Sequence, residues 1–219
     1  MELFLDTARI DEIREAARYG VISGVTTNPS LAARAGVGGI QGYRAAVEEI
    51  STIIDGPISV EVLSRDAKGM VRDAREFSKW APNVWIKLPS VPAGFEAMAE
   101  VVKEGIRVNQ TLCFSVNQAL LGGRIGATVV SPFVGRLDDA GHDGMQLVLD
   151  IKSIFEYYGM ETRVLAASIR HALHCVAAAK AGADIATIPY RVFQQMMHHP
   201  LTDAGVTRFM EDWEKALNS

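Results

Sequence analysis

Cysteine is nearly missing from this sequence. Cys113 and Cys175 are the only two in 219 residues, they lie far apart, and they form no CxxC pair. Two buried free thiols in a reducing cytoplasm are therefore expected rather than a disulfide. Long apolar runs are missing too, so no segment suits a membrane span of about 20 residues. The opening stretch, Met1-Glu2-Leu3-Phe4-Leu5-Asp6, carries acids and no basic n-region, which argues against a signal peptide. Basic residues are not in excess: the formal net charge is −4, leaving no electrostatic footprint for nucleic acid. There is no GxGxxG, no Walker sequence and no GxSxG. His171 and His174 stand three apart and His198-His199 precede a proline, but no carboxylate or third histidine joins them at ligand spacing. No metal site and no cofactor are expected.

What is present is an even alternation. Apolar residues make up 48% and charged residues 22%, an ordinary globular balance. Short β-branched runs predict strands over Leu3–Asp6, Gly24–Thr27, Ile58–Leu63, Val84–Leu88, Arg107–Leu112, Thr128–Phe133, Arg163–Ser168 and Asp184–Ile188. Runs such as Val84-Trp85-Ile86 are continuously apolar, as in parallel strands covered on both faces. Between them, Ile10/Ile13/Ala17, Met70/Ala74/Phe77 and Met145/Val148/Leu149/Phe155 recur at helical spacing. Asp6-Thr7, Ser64 and Asp143 stand where helix N-caps belong, and Gly105, Gly159 and Gly182 where C-terminal glycines belong. Gly122-Gly123 fall inside an expected helix, against propensity. Eight strands at about 27 residues per unit predict a one-domain (β/α)₈ barrel over residues 1–219. Residues 202–219 form one further amphipathic helix, with Val206, Phe209, Met210, Trp213 and Leu217 on one face.

In such a barrel, chemistry sits at the C-terminal strand ends and in the loops after them. Strand one ends in Asp6, which could simply cap a helix. Strand two ends in Thr26-Thr27-Asn28-Pro29, where Asn28 could be only a turn residue. Strand three carries Glu61 and strand four Lys87, each among apolar neighbours. Apolar walls favour the neutral, nucleophilic form of an amine, but Lys87 could equally be tied to Glu61 or Asp6 in a structural ion pair. Asn109 and Thr111 share one face of strand five, with Gln110 on the other. They suggest a wet pocket or an internal hydrogen-bonded pair. Arg136 and Arg170 follow strands six and seven, positions that suit a phosphate or a plain solvated surface. Strand eight, ending in Ile188-Pro189-Tyr190, offers nothing ionisable to the site.

These strand ends resemble the transaldolase family, in its small-subunit branch shared with fructose-6-phosphate aldolases. The match is carried by Leu5-Asp6-Thr7, Gly24 to Ser30, Ile86-Lys87-Leu88-Pro89, Asn109 to Ser115, Ser131 to Asp138, Ala166 to His171, and Phe209 to Trp213. The TTNPS and SPFVGR stretches are its most specific parts. The resemblance implies transfer of a dihydroxyacetone unit from fructose 6-phosphate or sedoheptulose 7-phosphate to an aldose phosphate, in the pentose phosphate pathway.

By that resemblance Lys87 forms the imine and Asp6 acts as acid or base in carbon–carbon cleavage. Glu61 with Thr111 and a water moves protons during imine formation and hydrolysis. Asn28, Asn109 and Ser131 hold the dihydroxyacetone part, and Arg136, Ser168 and Arg170 hold the phosphate. Glu61 and Phe133 stand where the aldolases tend to carry Gln and Tyr, which favours transfer over release of free dihydroxyacetone. Ser90 departs from the threonine frequent in the family. A homo-oligomer larger than a dimer, a ring of five or ten subunits that exchange the 202–219 helix, is also implied. A metal-dependent barrel lyase and a silent sugar-phosphate binder are the competing classes. The first lacks a ligand cluster, and the second does not account for Lys87 with Glu61 and Asp6.

Overall fold

A computed structural model describes residues 1–218. Eight parallel strands close into a barrel in sequence order: β1 (Glu2–Asp6), β2 (Ile22–Thr26), β3 (Ile58–Glu61), β4 (Val84–Pro89), β5 (Val108–Cys113), β6 (Val129–Pro132), β7 (Arg163–Ala166) and β8 (Ile185–Ile188). All eight strands expected from the sequence are present. Helices fill the crossovers: α1 (Ile10–Ala17), α2 (Pro29–Arg34), α3 (Gly39–Ser51), α4 (Ala67–Phe77), α5 (Pro92–Val101) and α6 (Val116–Ile125). Then come α7 (Val134–Asp139), α8 (Gly144–Tyr157), α9 (Ala172–Lys180), α10 (Tyr190–Met197) and α11 (Pro200–Leu217). No helix among the described residues is long and apolar enough to cross a membrane. Cys113 and Cys175 are free and buried.

The period-two alternation of a strand sorts residues into two layers. Leu5, Val25, Val60, Ile86, Val130 and Ala186 face the helices and join the main core with Ile13, Phe77, Met98 and Ile151. Phe4, Trp85, Val129, Leu165 and Ile185 form a separate cluster, with Phe133 packed on it. They fill the barrel interior and leave no pore. Gly24 exists for this plug: a Cβ there would lie 2.7 Å from the Phe4 ring. Two residues beyond Phe4, Gly24, Trp85, Val129 and Ile185, the same inward face turns polar at Asp6, Thr26, Lys87, Ser131 and Thr187. The apolar plug is thus a floor, and the polar layer above it opens at the C-terminal end.

Some local expectations are corrected. Asp6-Thr7 do not cap α1, whose N-cap is Arg9. Ser64 does not cap α4; Asp66 does, its carboxylate accepting from Gly69 N at 2.9 Å. Strand six stops at Pro132, and the VGR part of the specific stretch is the start of α7. Phe133 keeps only a single parallel bridge to Ala167. Gly122 sits mid-helix because α6 must approach Gln110, whose Oε1 would be 1.7 Å from a Cβ there. Close packing outweighs helix propensity at that point. The C-terminal helix begins at Pro200 and buries none of its residues, with Phe209 67% and Trp213 61% exposed. Its apolar face is not folded back on its own barrel.

Candidate active site

Strand register assembles the centre of the site. Glu61 pairs with Lys87 across β3 and β4, and Lys87 with Asn109 across β4 and β5. Asp6 pairs with Thr26 across β1 and β2. Parallel neighbours in register point to the same face, so these side chains converge inside the barrel. The Lys87 amine is held 3.3 Å from Glu61 Oε2 and donates to the Thr27 carbonyl at 3.1 Å. Lys87 thus has an ionic partner and also lines the cavity above the plug. A buried pair of this kind adds little stability and is often replaceable by apolar residues.

The cavity has a volume of about 320 Å³. Asp6, Asn28, Lys87, Asn109, Thr111, Ser131, Phe133, Arg136, Ser168 and Arg170 all line it. Of the residues expected from the sequence, only Glu61 does not; it reaches the cavity through Lys87. Thr26 Oγ1 donates to Asp6 Oδ1 at 2.6 Å and sits 2.6 Å from the Thr187 hydroxyl. Burial raises the Asp6 carboxyl above its ordinary 3.8, against the opposing pull of Lys87 and the Thr26 hydrogen bond. Ser131 donates to Asn109 Oδ1 at 2.6 Å, and Asn109 Nδ2 donates to Ser59 Oγ at 3.0 Å. The amide is thereby fixed in one orientation. Thr111 Oγ1 is buried with no hydrogen-bond partner among the described residues. Asn28 is both cap and lining: its Oδ1 accepts from Leu31 N at 2.9 Å. Gln110 faces the helices, donating to Ser90 Oγ and Gln118 O. Ser90 itself donates to the Thr111 carbonyl and stays out of the cavity lining.

The mouth is cationic. Arg34, Arg136, Arg170 and Arg191 line it with Lys87 below, against Asp6 as the one carboxylate of the lining. A local positive field in a chain of net charge −4 draws anionic ligands inward. The Arg136 guanidinium stacks 5.0 Å from the Phe133 ring centroid, and Phe114 packs on Phe133 edge-on at 5.6 Å. Arg170 is paired with Asp139 at 2.6 Å. Ser168 adopts φ 61°, unusual for a side-chain-bearing residue and characteristic of constrained sites. Its carbonyl accepts from Gly135 N at 3.1 Å, an approach that a Cβ on Gly135 would block at 2.1 Å.

Several lining residues escaped the sequence reading. Arg191 corrects the view that strand eight offers nothing ionisable: it lies one residue past Tyr190, in the first turn of α10. Arg34 comes from the last turn of α2, away from any strand end. Tyr43, on α3, approaches the hydroxyl of Thr27 at 2.7 Å and accepts from Glu61 N at 3.2 Å, so it clamps the ends of β2 and β3 behind the amine. Burial pushes its phenol up to about 12, keeping it a neutral hydrogen-bonding strut. Nothing in the local sequence marks it, because the contact spans two strands. No group of three or more His, Cys, Asp or Glu among the described residues is arranged to hold a metal ion.

Known proteins are similar to this chain along nearly its whole length. A family model described as Transaldolase/Fructose-6-phosphate aldolase matches residues 3–219. A protein of Dehalococcoides mccartyi named as a probable transaldolase is 56% identical over 215 residues, 98% of each chain. One of Desulforudis audaxviator with the same name is 58% identical over 215 residues, again 98% of each chain. A third, from Moorella thermoacetica, is 53% identical over 218 residues and the full length of both. With an enclosed lysine among two acids at the C-terminal mouth of a closed eight-stranded barrel, and a family match over nearly every residue, this chain belongs to the transaldolase/fructose-6-phosphate aldolase family.

Proposed function

We infer that this enzyme is a transaldolase that moves a dihydroxyacetone unit from a ketose phosphate to an aldose phosphate through an imine on Lys87. The observation that carries the reading is the Lys87 amine, seated 3.3 Å from Glu61 and opening on a cavity that also presents Asp6. The Lys87 amine attacks C2 of the ketose once Glu61 has taken a proton from it, and loss of water leaves a protonated imine, the electron sink for carbon–carbon cleavage. Glu61 shuttles protons to and from the amine, and the unpartnered Thr111 hydroxyl orients the water exchanged in imine formation and hydrolysis. Asp6 takes the proton of the C4 hydroxyl, the C3–C4 bond breaks, and the aldose phosphate leaves. The enamine stays on Lys87 until an acceptor aldehyde arrives, and the same steps run in reverse. Asn28, Asn109 and Ser131 hold the three-carbon fragment. Phe133, an apolar ring boxed by Phe114 and Arg136, keeps that fragment dry and offers it no proton. This favours transfer over release of free dihydroxyacetone. The direct assay couples fructose 6-phosphate with erythrose 4-phosphate. Sedoheptulose 7-phosphate should form, and little dihydroxyacetone should appear without acceptor. Dihydroxyacetone as main product would instead make the enzyme an aldolase.

Arg136, Arg170 and Ser168 take the phosphate. Loss of one charge-assisted contact costs roughly 1.5–3 kcal/mol. Replacing either arginine by Ala should therefore weaken kcat/KM for glyceraldehyde 3-phosphate far more than for glyceraldehyde. Equal losses on both acceptors would place the arginines outside phosphate binding.

The exposed apolar stripe of α11, with Val206, Phe209, Met210, Trp213 and Leu217, needs a cover. We assign that cover to a neighbouring subunit in a homo-oligomer larger than a dimer, a five- or ten-subunit ring, working in the cytoplasm on the pentose phosphate pathway. Light scattering should show such a particle for the full chain and smaller species after truncation beyond Thr202. A full-length monomer would contradict it.

A further inference from the structure

Helix α7, which carries Arg136, and the loop before α9, which carries Ser168 and Arg170, are stitched together by a histidine outside the cavity lining. His174, in the first turn of α9, accepts a hydrogen bond at Nδ1 from the backbone N–H of Arg170, 3.3 Å away. Its Nε2 faces Asp138 Oδ2 at 3.2 Å, on α7 two residues beyond Arg136. Only the neutral ring with its proton on Nε2 satisfies both contacts. Its surroundings favour that neutral form: burial, His171 and Arg170 lower its affinity for a proton, and Asp138 alone opposes them. Asp138 is itself oriented, accepting from Gly144 N at 2.9 Å. The ring therefore bridges the β6–α7 segment to the β7–α9 loop beside the Gly135–Ser168 backbone contact.

We propose that His174 is a positioning residue for phosphate recognition: its Nδ1 holds the Arg170 backbone in place, and its Nε2 contact with Asp138 sets the ring for that task. It touches no substrate, and its effect is on where Arg170 stands. The inference rests on the reading that Arg170 binds the substrate phosphate. A misplaced binding group weakens binding without altering the chemistry at Lys87, so the expected signature is a rise in KM for phosphorylated acceptors at unchanged kcat.

The test compares His174→Asn, His174→Gln and His174→Leu with the parent enzyme and with Arg170→Ala, using glyceraldehyde 3-phosphate and glyceraldehyde as acceptors at saturating sedoheptulose 7-phosphate donor. Asn keeps an acceptor near the Nδ1 position, whereas Gln keeps a donor near Nε2. His174→Gln and His174→Leu should raise KM for the phosphorylated acceptor by about three- to tenfold, the worth of one hydrogen bond. Neither should change kinetics with glyceraldehyde, and His174→Asn should restore most of the loss. If His174→Leu does not fold, the Asn–Gln contrast carries the same information. Equal KM values for Asn and Gln, or losses shared by both acceptors, would reduce His174 to a packing residue and overturn the proposal. Indifference of Arg170→Ala to the phosphate would overturn the proposal together with the reading beneath it. Discrimination by Arg170→Ala without any by His174→Gln would overturn the proposal alone.

Discussion

Replacing Lys87 by arginine is expected to lower transfer activity by roughly 10⁴-fold or more, the scale seen when a covalent nucleophile is removed from groups that act as a unit. A guanidinium remains protonated at any working pH and offers no lone pair for a carbonyl. It can still donate to the Thr27 carbonyl and pair with Glu61, the two contacts Lys87 makes in the folded chain. The variant should therefore fold, and a thermal scan beside the assay separates lost chemistry from lost structure. A folded Lys87→Arg enzyme with activity within tenfold of the parent would be incompatible with an imine at this position.

The second large effect is expected at Asp6. Removing a positioned acid or base costs about 10²–10⁴-fold in rate, so Asp6→Asn should be nearly inactive while still binding substrate. Its stability should move the other way. Burial lifts the Asp6 carboxyl above 3.8 in the folded chain, and the unfolded chain holds the ordinary value. Between those two values the folded state binds the extra proton. Stability is therefore lost as pH rises from 3.8 through the folded value, and it stays lower above that. Asn carries no such penalty and can still accept from Thr26. The melting temperature of Asp6→Asn should exceed that of the parent at neutral pH, and the gap should narrow as the pH is lowered toward 3.8. A gap that widens on acidification would mean that Lys87 outweighs burial at this carboxyl.

The barrel is legible in the sequence because its strands announce themselves. Val84-Trp85-Ile86 and Val129-Val130 are apolar on both faces, and every predicted strand lies within a few residues of its observed limits. The candidate site is legible where polar residues interrupt those runs, at Glu61, Lys87, Asn109 and Ser131, since a polar group in such a place needs a reason. Asp6 shows the limit of local reading. Its cap position is plausible in sequence, yet the strand pairing that sets it beside Thr26 turns it inward. Tyr43, Arg34 and Arg191 lie on helices, where a polar or aromatic residue is ordinary. Only closure of the barrel brings them to the cavity or to the strand ends behind it. The spacing of His174 gives no hint of these contacts, because its partners Asp138, on α7, and Arg170, in the loop before α9, meet it only in the folded chain.

Treatment with borohydride in the presence of fructose 6-phosphate, followed by peptide mass spectrometry, tests most directly whether Lys87 carries the substrate. A reduced three-carbon adduct on Lys87 is the expected result, absent without substrate and absent from Lys87→Arg. An adduct mapped to Lys103, or no adduct from an active enzyme, would contradict the account.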